Sequence, residues 1–290
     1  MERHNETRRL KVALGISSVY FFAELIAGFL TNSLALLSDA GHMLSDIAAL
    51  ALSLFAFRIA RRPATDNSTY GYHRVEILAA LFNGLVLWLV VGVIFAAAYN
   101  RLFSQPEVAS RGMIVVAVLG LAVNIAAGAI LYDRHHYNLN LHGAFLHVVS
   151  DAVGSLGAIA AGSIMLLTGW YIADPLISIF IGVLILFSSW HLITESLSIL
   201  MQSVPRGIRL DEVRETIESV AGVAKVHDLH VWAVTSGVHT LSAHAVVENG
   251  GDFHEVLNGI EDTLRRRFNI EHTTIQLEVE NREETEFKGF

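Results

Sequence analysis

Two copies of one spacing carry the chemistry of this 290-residue chain. His42 and Asp46 lie in the run S-D-A-G-H-M-L-S-D (38–46), and His147 and Asp151 lie in L-H-V-V-S-D-A (146–152). Each is an i,i+4 pair, so on a helix each imidazole stacks over its carboxylate on one face. Two such helices facing each other offer two nitrogens and two carboxylates, the ligand count and type of a tetrahedral zinc site. Both pairs interrupt long apolar runs. A charged side chain at the bilayer centre costs about 3 kcal/mol on insertion scales, and ionisable groups at that depth usually mark an ion pathway. A divalent cation between the two carboxylates removes the conflict. Two imidazoles and two carboxylates suit zinc better than Mg²⁺ or Ca²⁺, which prefer oxygen shells, while Co²⁺, Cd²⁺, Fe²⁺ and Ni²⁺ stay open. Zinc binds neutral histidine and ionised aspartate, so its arrival displaces protons. A site that holds either a metal ion or protons, and opens to alternate sides, is an antiporter.

Other polar residues share these runs. Asp39 lies on the face of His42 and Asp46, where it lines the mouth of the site, supports its ligands or simply starts the helix. Glu24, Asn83 and Asn124 sit deep in apolar segments and read as interhelical hydrogen-bonding groups, with Glu24 also placed to relay protons.

The elements that position these residues follow from hydropathy. Apolar residues make up 53% of the chain and its mean hydropathy is +0.48, which excludes disorder and argues against an ordinary soluble enzyme. Cysteine is absent, so any metal must sit on histidine or carboxylate. Six spans of membrane length are expected near 11–31, 34–57, 76–99, 112–132, 142–168 and 174–200. The first is longer than a signal core and lacks a small-residue cleavage site, so it reads as a span. Lys and Arg gather at Arg3, Arg8, Arg9 and Lys11, at Arg58, Arg61, Arg62 and Arg74, and at Arg134; the opposite loops hold Arg101 and Arg111. The expectation is a multi-pass protein with both termini cytoplasmic, in the inner membrane of a bacterial cell.

From about Pro205 the pattern changes. A helix over 210–220, strands over 225–234 and 238–247 around Ser236-Gly237, an amphipathic helix over 253–268 and an alternating strand over 273–280 give the order α-β-β-α-β. The expected fold is an all-α six-helix transmembrane domain (1–204) followed by a cytoplasmic α+β domain (205–290). Of the 28 acidic residues, 16 fall after residue 200, against 9 of the 20 Lys and Arg. That balance argues against nucleic acid as a partner and is compatible with divalent cations.

Five runs carry a resemblance. S-L-A-L-L-S-D-A-G-H-M-L-S-D-I-A-A (33–49), Y-G-Y-H-R-V-E-I-L-A-A (70–80), H-V-V-S-D (147–151), A-D-P-L-I-S (173–178) and V-H-D-L-H-V-W (226–232) resemble the cation diffusion facilitator family, in family order, and are most similar to its zinc-transporting branch. The resemblance implies a homodimer in the lipid bilayer with a metallochaperone-like cytoplasmic domain (205–290) that serves regulation and dimerisation. It also implies exchange of cytoplasmic zinc for protons, with His42, Asp46, His147 and Asp151 as transport ligands. It places a cytoplasmic metal site on His227, His244 and Glu278, where zinc would act as a regulatory ion. His254 and Gln276 fall where some members have further ligands, and Gln276 is a poor one. A third site pairs His73 with His272, with Asp66 in support. His135, His136 and His142 would feed metal to the cytoplasmic mouth. His4, His191, His230 and His239 read as structural or exposed, and Arg74 with Glu195 as a salt bridge between helix ends.

Two readings compete with the antiporter. One is an intramembrane zinc metalloenzyme, against which stand four converging ligands and the lack of a His-Glu-x-x-His run. The other is a membrane metal sensor that carries no flux.

Overall fold

The structure, a computed structural model, describes residues 2–132, 139–248 and 252–279; side chains are described at 15, 18–129, 145, 148–248 and 252–279. Six long helices come first: α1 (Glu2–Thr31), α2 (Leu34–Ala60), α3 (Arg74–Ser104), α4 (Ser110–Tyr132), α5 (Leu139–Thr168) and α6 (Ala173–Leu200). Among the described residues, five of them are long and apolar enough to cross a membrane, and α1 adds a shorter apolar stretch over Ser18–Thr31. The remainder is α7 (Leu210–Glu218), β1 (Val223–Thr235), β2 (Val238–Val247), α8 (Phe253–Phe268) and β3 (Ile270–Val279). The chain divides into two compact units, Met1–Leu52 with Phe82–His191, and Ser53–Leu81 with Leu192–Phe290.

The helical unit packs as membrane helices do, on small residues that let backbones approach. Ala35, Ala117, Ala158 and Ala161 are buried in one core with Leu36, Met113 and Met165. A Cβ on Gly162 would stand 2.6 Å from Ile114 Cγ1, so that α4–α5 contact requires glycine. The outward faces are apolar: Phe29, Leu89, Leu167 and Phe187 are all exposed. In water these would be a liability; in a bilayer they are the wetted surface.

A buried aspartate organises one end of this unit. The chain leaves α1 through Asn32, which has φ 55°, and enters α2 at once. Asp174, in the first turn of α6 and fully buried, accepts hydrogen bonds from the Ser33 hydroxyl (2.7 Å), the Leu34 amide (2.8 Å) and the Ala35 amide (3.2 Å). It thus caps α2 from another helix, satisfying amides that α2 leaves without intrahelical partners. Arg101, near the end of α3, donates to Asp174 (3.3 Å), to the Asn32 carbonyl (2.6 Å) and to Asn32 Oδ1 (2.9 Å). The helix that carries His42 and Asp46 is therefore fixed at its start by α3 and α6.

In the second unit, β1 and β2 form an antiparallel hairpin and β3 joins β2 in parallel, giving the order β1-β2-β3. The α8 crossover makes that parallel pair possible. Asp252 caps α8 by accepting from the His254 amide, and Asn269, at φ 53°, ends it in the left-handed conformation. The apolar stripes of α7 (Val213, Ile217) and α8 (Val256, Ile260, Leu264) close a core with Val226, Val231, Leu241 and Ala243 of the sheet.

Candidate metal sites

The i,i+4 spacing on α2 is realised: His42 Nε2 lies 3.5 Å from Asp46 Oδ2. The same nitrogen lies 3.9 Å from Asp151 Oδ1 on α5. Around a tetrahedral zinc, ligand atoms stand about 3.4 Å apart, given metal–ligand bonds near 2.0–2.1 Å. The two separations approach that value. His147 belongs to α5, one turn before Asp151, and its side chain lies outside the described residues. Asp39 is buried and lines, with His42, Ser150, Asp151 and Ile185, a cavity of about 330 Å³. The charges fit a dication: two neutral imidazoles and two carboxylates sum to −2. Of the other polar residues in these helices, Asn83 Oδ1 accepts from the Ser45 hydroxyl at 3.4 Å, and the Asn124 amide donates to Ser155 Oγ at 3.4 Å. Both are interhelical bonds, as their positions imply.

The second site is built by strand register. His227 and His244 are direct partners across β1 and β2, and directly opposite residues share a face of the sheet. His244 stands beside Gln276 of β3, and Glu278 follows two residues on. Glu278 is the centre of the group. Its Oε2 lies 3.1 Å from His227 Nε2 and its Oε1 lies 3.0 Å from His244 Nδ1. One ligand atom from each of the three lies within 4.8 Å of the others, the one such group of three or more among the described residues. His227 is 4% exposed and Glu278 8%; burying this much ionisable chemistry is costly unless it is paired or binds a metal. Among the described residues His227 Nδ1 meets no hydrogen-bond partner. The donor set of two imidazoles and one carboxylate fits zinc, with one position left for water or a further ligand.

Gln276 explains itself here. Its amide donates to Glu278 Oε1 at 2.7 Å, so it orients a candidate ligand rather than offering a metal-binding nitrogen itself. Burial pushes the Glu278 carboxyl up, but the bonds from Gln276 and His227 and the charges of His244 and His227 outweigh it. The net effect holds Glu278 below the usual carboxylate range.

The remaining candidates stand apart from these clusters. His73 is the last loop residue before α3, and both it and His272 are exposed. His272 packs edge-to-face on Tyr70, with ring centroids 5.8 Å apart. His254 and Asp66 are exposed. Glu195 pairs with Arg206 at 3.0 Å, where the sequence pointed to Arg74. His135 and His136, and the side chains of His4 and His142, lie outside the described residues. Sequence reasoning missed the role of Asp174 in capping α2; the residue stands in A-D-P-L-I-S, which the sequence offered only as part of the resemblance, at the beginning of the sixth span.

Comparison with known proteins bears on both units. The family model for the cation efflux transmembrane domain matches residues 10–201, and the model for the cation efflux protein cytoplasmic domain matches residues 205–280. This chain belongs to the cation efflux family. That is the family of cation diffusion facilitators to which the five runs pointed. Similar relatives include the "Cadmium, cobalt and zinc/H(+)-K(+) antiporter" of Bacillus subtilis (strain 168), 44% identical over 96% of this chain and 91% of the relative. The "Cation efflux system protein CzcD" of Alcaligenes sp. (strain CT14) is 44% identical over 94% of this chain and 86% of its own length. The "Zinc transporter ZitB" of Yersinia pestis is 37% identical over 96% and 89%. The cation efflux protein described here is thus a multi-pass membrane protein of metal cation efflux, and it is not an enzyme.

Proposed function

We propose that this cation efflux protein is a zinc/proton antiporter that exports Zn²⁺ from the cytoplasm. Cd²⁺ and Co²⁺ are further substrates of the same site. The observation that carries the reading is His42 Nε2 poised between Asp46 on its own helix and Asp151 on α5, at 3.5 and 3.9 Å, at the wall of a cavity. His147 supplies the fourth ligand. In this reading the metal and protons compete for the same side chains, because the ligating forms are neutral histidine and ionised aspartate. Loading from one side with the metal and from the other with protons, by alternating access, then couples the two gradients. The antiporter and zinc-transporter names of similar proteins support this reading.

The cytoplasmic domain joins two copies into a homodimer and senses zinc at His227, His244 and Glu278. A regulatory ion there would bias the membrane part only if it binds the two conformations unequally. His73 and His272 form a lesser third site near the second loop. Both termini face the cytoplasm and the protein sits in the inner membrane. The test is zinc uptake by liposomes containing the purified full chain. Uptake should follow an imposed pH gradient and should be abolished by His42→Ala or Asp151→Ala. A sensor would show no flux in the parent or in either variant, and uptake indifferent to the gradient would rule out proton coupling.

A further inference from the structure

Glu24 takes no part in the four-ligand set, yet it is buried to 1% exposure on α1. The Tyr20 hydroxyl, one turn earlier, lies 3.2 Å from Glu24 Oε1 and 3.1 Å from the Val116 carbonyl oxygen on α4. Gly120 makes room for that hydroxyl, since a Cβ there would collide with it. Among the described residues the second oxygen, Glu24 Oε2, meets no hydrogen-bond donor. The side chain that Glu24 engages across the helix contact is another carboxyl, Asp39 of α2, which lines the cavity with His42 and Asp151. Among the described residues, the charged groups acting on Glu24 are Asp39 from α2 and Asp151 from α5, both of its own sign. Among the described residues, Tyr20 is the titratable neighbour on α1, and the α4 atom that meets its hydroxyl is the Val116 carbonyl oxygen.

Two ionised carboxylates are acceptors only. The contact between Glu24 and Asp39 becomes a hydrogen bond only when one of them carries a proton, as in other carboxyl pairs that share a site. We propose that Glu24 holds a proton in a hydrogen bond to Asp39, and that this pair is a proton-holding site attached to the metal cavity. The proposal rests on the antiporter reading and deepens it. When a dication occupies the cavity, its field opposes the proton on the nearby pair. The proton dissociates to water, and it returns when the metal leaves. Glu24 is then a coupling residue that never touches the ion.

The experiment uses the full chain carrying His227→Ala and His244→Ala, so that zinc bound at the cytoplasmic site does not contribute. Protons released per zinc bound are counted with an indicator dye in weak buffer, and zinc movement into liposomes is followed with and without a pH gradient. Glu24→Gln should still bind zinc and exchange zinc for zinc, release about one proton fewer per transport site, and lose most of the acceleration by the gradient. Equal proton release with an unchanged gradient response in Glu24→Gln would overturn the proposal. If the parent protein itself releases no protons and ignores the gradient, the antiporter reading fails and takes this one with it. Should Glu24→Gln fail to bind zinc, Asp39→Asn removes the other carboxyl and carries the same comparison: fewer protons released supports the pair, and equal release with an unchanged gradient response overturns it.

Discussion

At the scale of single residues, Glu278 and Gln276 show how the proposed cytoplasmic ligand set would be held ready. Glu278 bridges two imidazoles on two strands, and Gln276 fixes the carboxylate that does so. Groups that orient a ligand are worth about 10–100-fold in metal affinity. Gln276→Ala should therefore weaken zinc binding at this site by about 10-fold, measured by competition with a chelating dye. The titration of Glu278 has a definite sign. Its folded pKa is lowered, so its ionised form contributes stability fully above the unfolded carboxylate value of about 4.3. That contribution is lost as pH falls through the lower folded value. In chelator, thermal stability of the full chain should fall below about pH 4, and Glu278→Gln should flatten that part of the curve. These roles were only partly legible in the sequence. The alternation of β3 puts Glu278 on a polar face, but periodicity does not report that β3 lies parallel to β2 or that Gln276 stands beside His244. Those are long-range pairings set by the α8 crossover.

At the scale of elements, α2, which carries His42 and Asp46, is as well placed as its first turn allows. Asp174 holds that turn with three hydrogen bonds while Arg101 neutralises it. Removing one partner of a buried charge pair costs about 3–5 kcal/mol, because the other charge stays buried without compensation. Asp174→Ala should lower the thermal transition in detergent accordingly and should weaken zinc binding at the transport site, since His42 and Asp46 ride on α2. Asp174→Asn, which keeps one acceptor oxygen, should fall between. Gly120→Ala should have a more local effect: it displaces Tyr20 from Glu24 without touching the metal ligands, so zinc binding should persist while proton release per zinc changes. Helix existence was plain from hydropathy, and α8 matches its periodicity from Phe253 to Phe268. Helix ends were not. α3 continues to Ser104, beyond the apolar run, because Asn100 and Arg101 are polar residues that stay helical with Arg101 bonded to the α1–α2 turn. β3 begins at Ile270 rather than Thr273, since Asn269 turns the chain from helix to strand in a single left-handed residue.

At the scale of the whole molecule, one proposal supports the others: that the four residues His42, Asp46, His147 and Asp151 exchange a dication for protons across the bilayer. The repeated His-x-x-x-Asp spacing put each histidine on one helix face with its aspartate before any fold was known, because i,i+4 geometry follows from helical pitch alone, and His42 with Asp46 realises that spacing. The surrounding carboxyls were less legible. Asp39 and Glu24 lie 15 positions apart, and only the packing of α1 on α2 brings them together. The most direct test is zinc uptake by liposomes containing the full chain, with the pH gradient imposed in each direction and abolished. The expected result is uptake whose rate rises with the gradient that drives protons the opposite way, and no uptake above protein-free liposomes for His42→Ala and Asp151→Ala. Uptake of equal rate at all three gradients, or uptake that survives loss of His42 and Asp151, would contradict it.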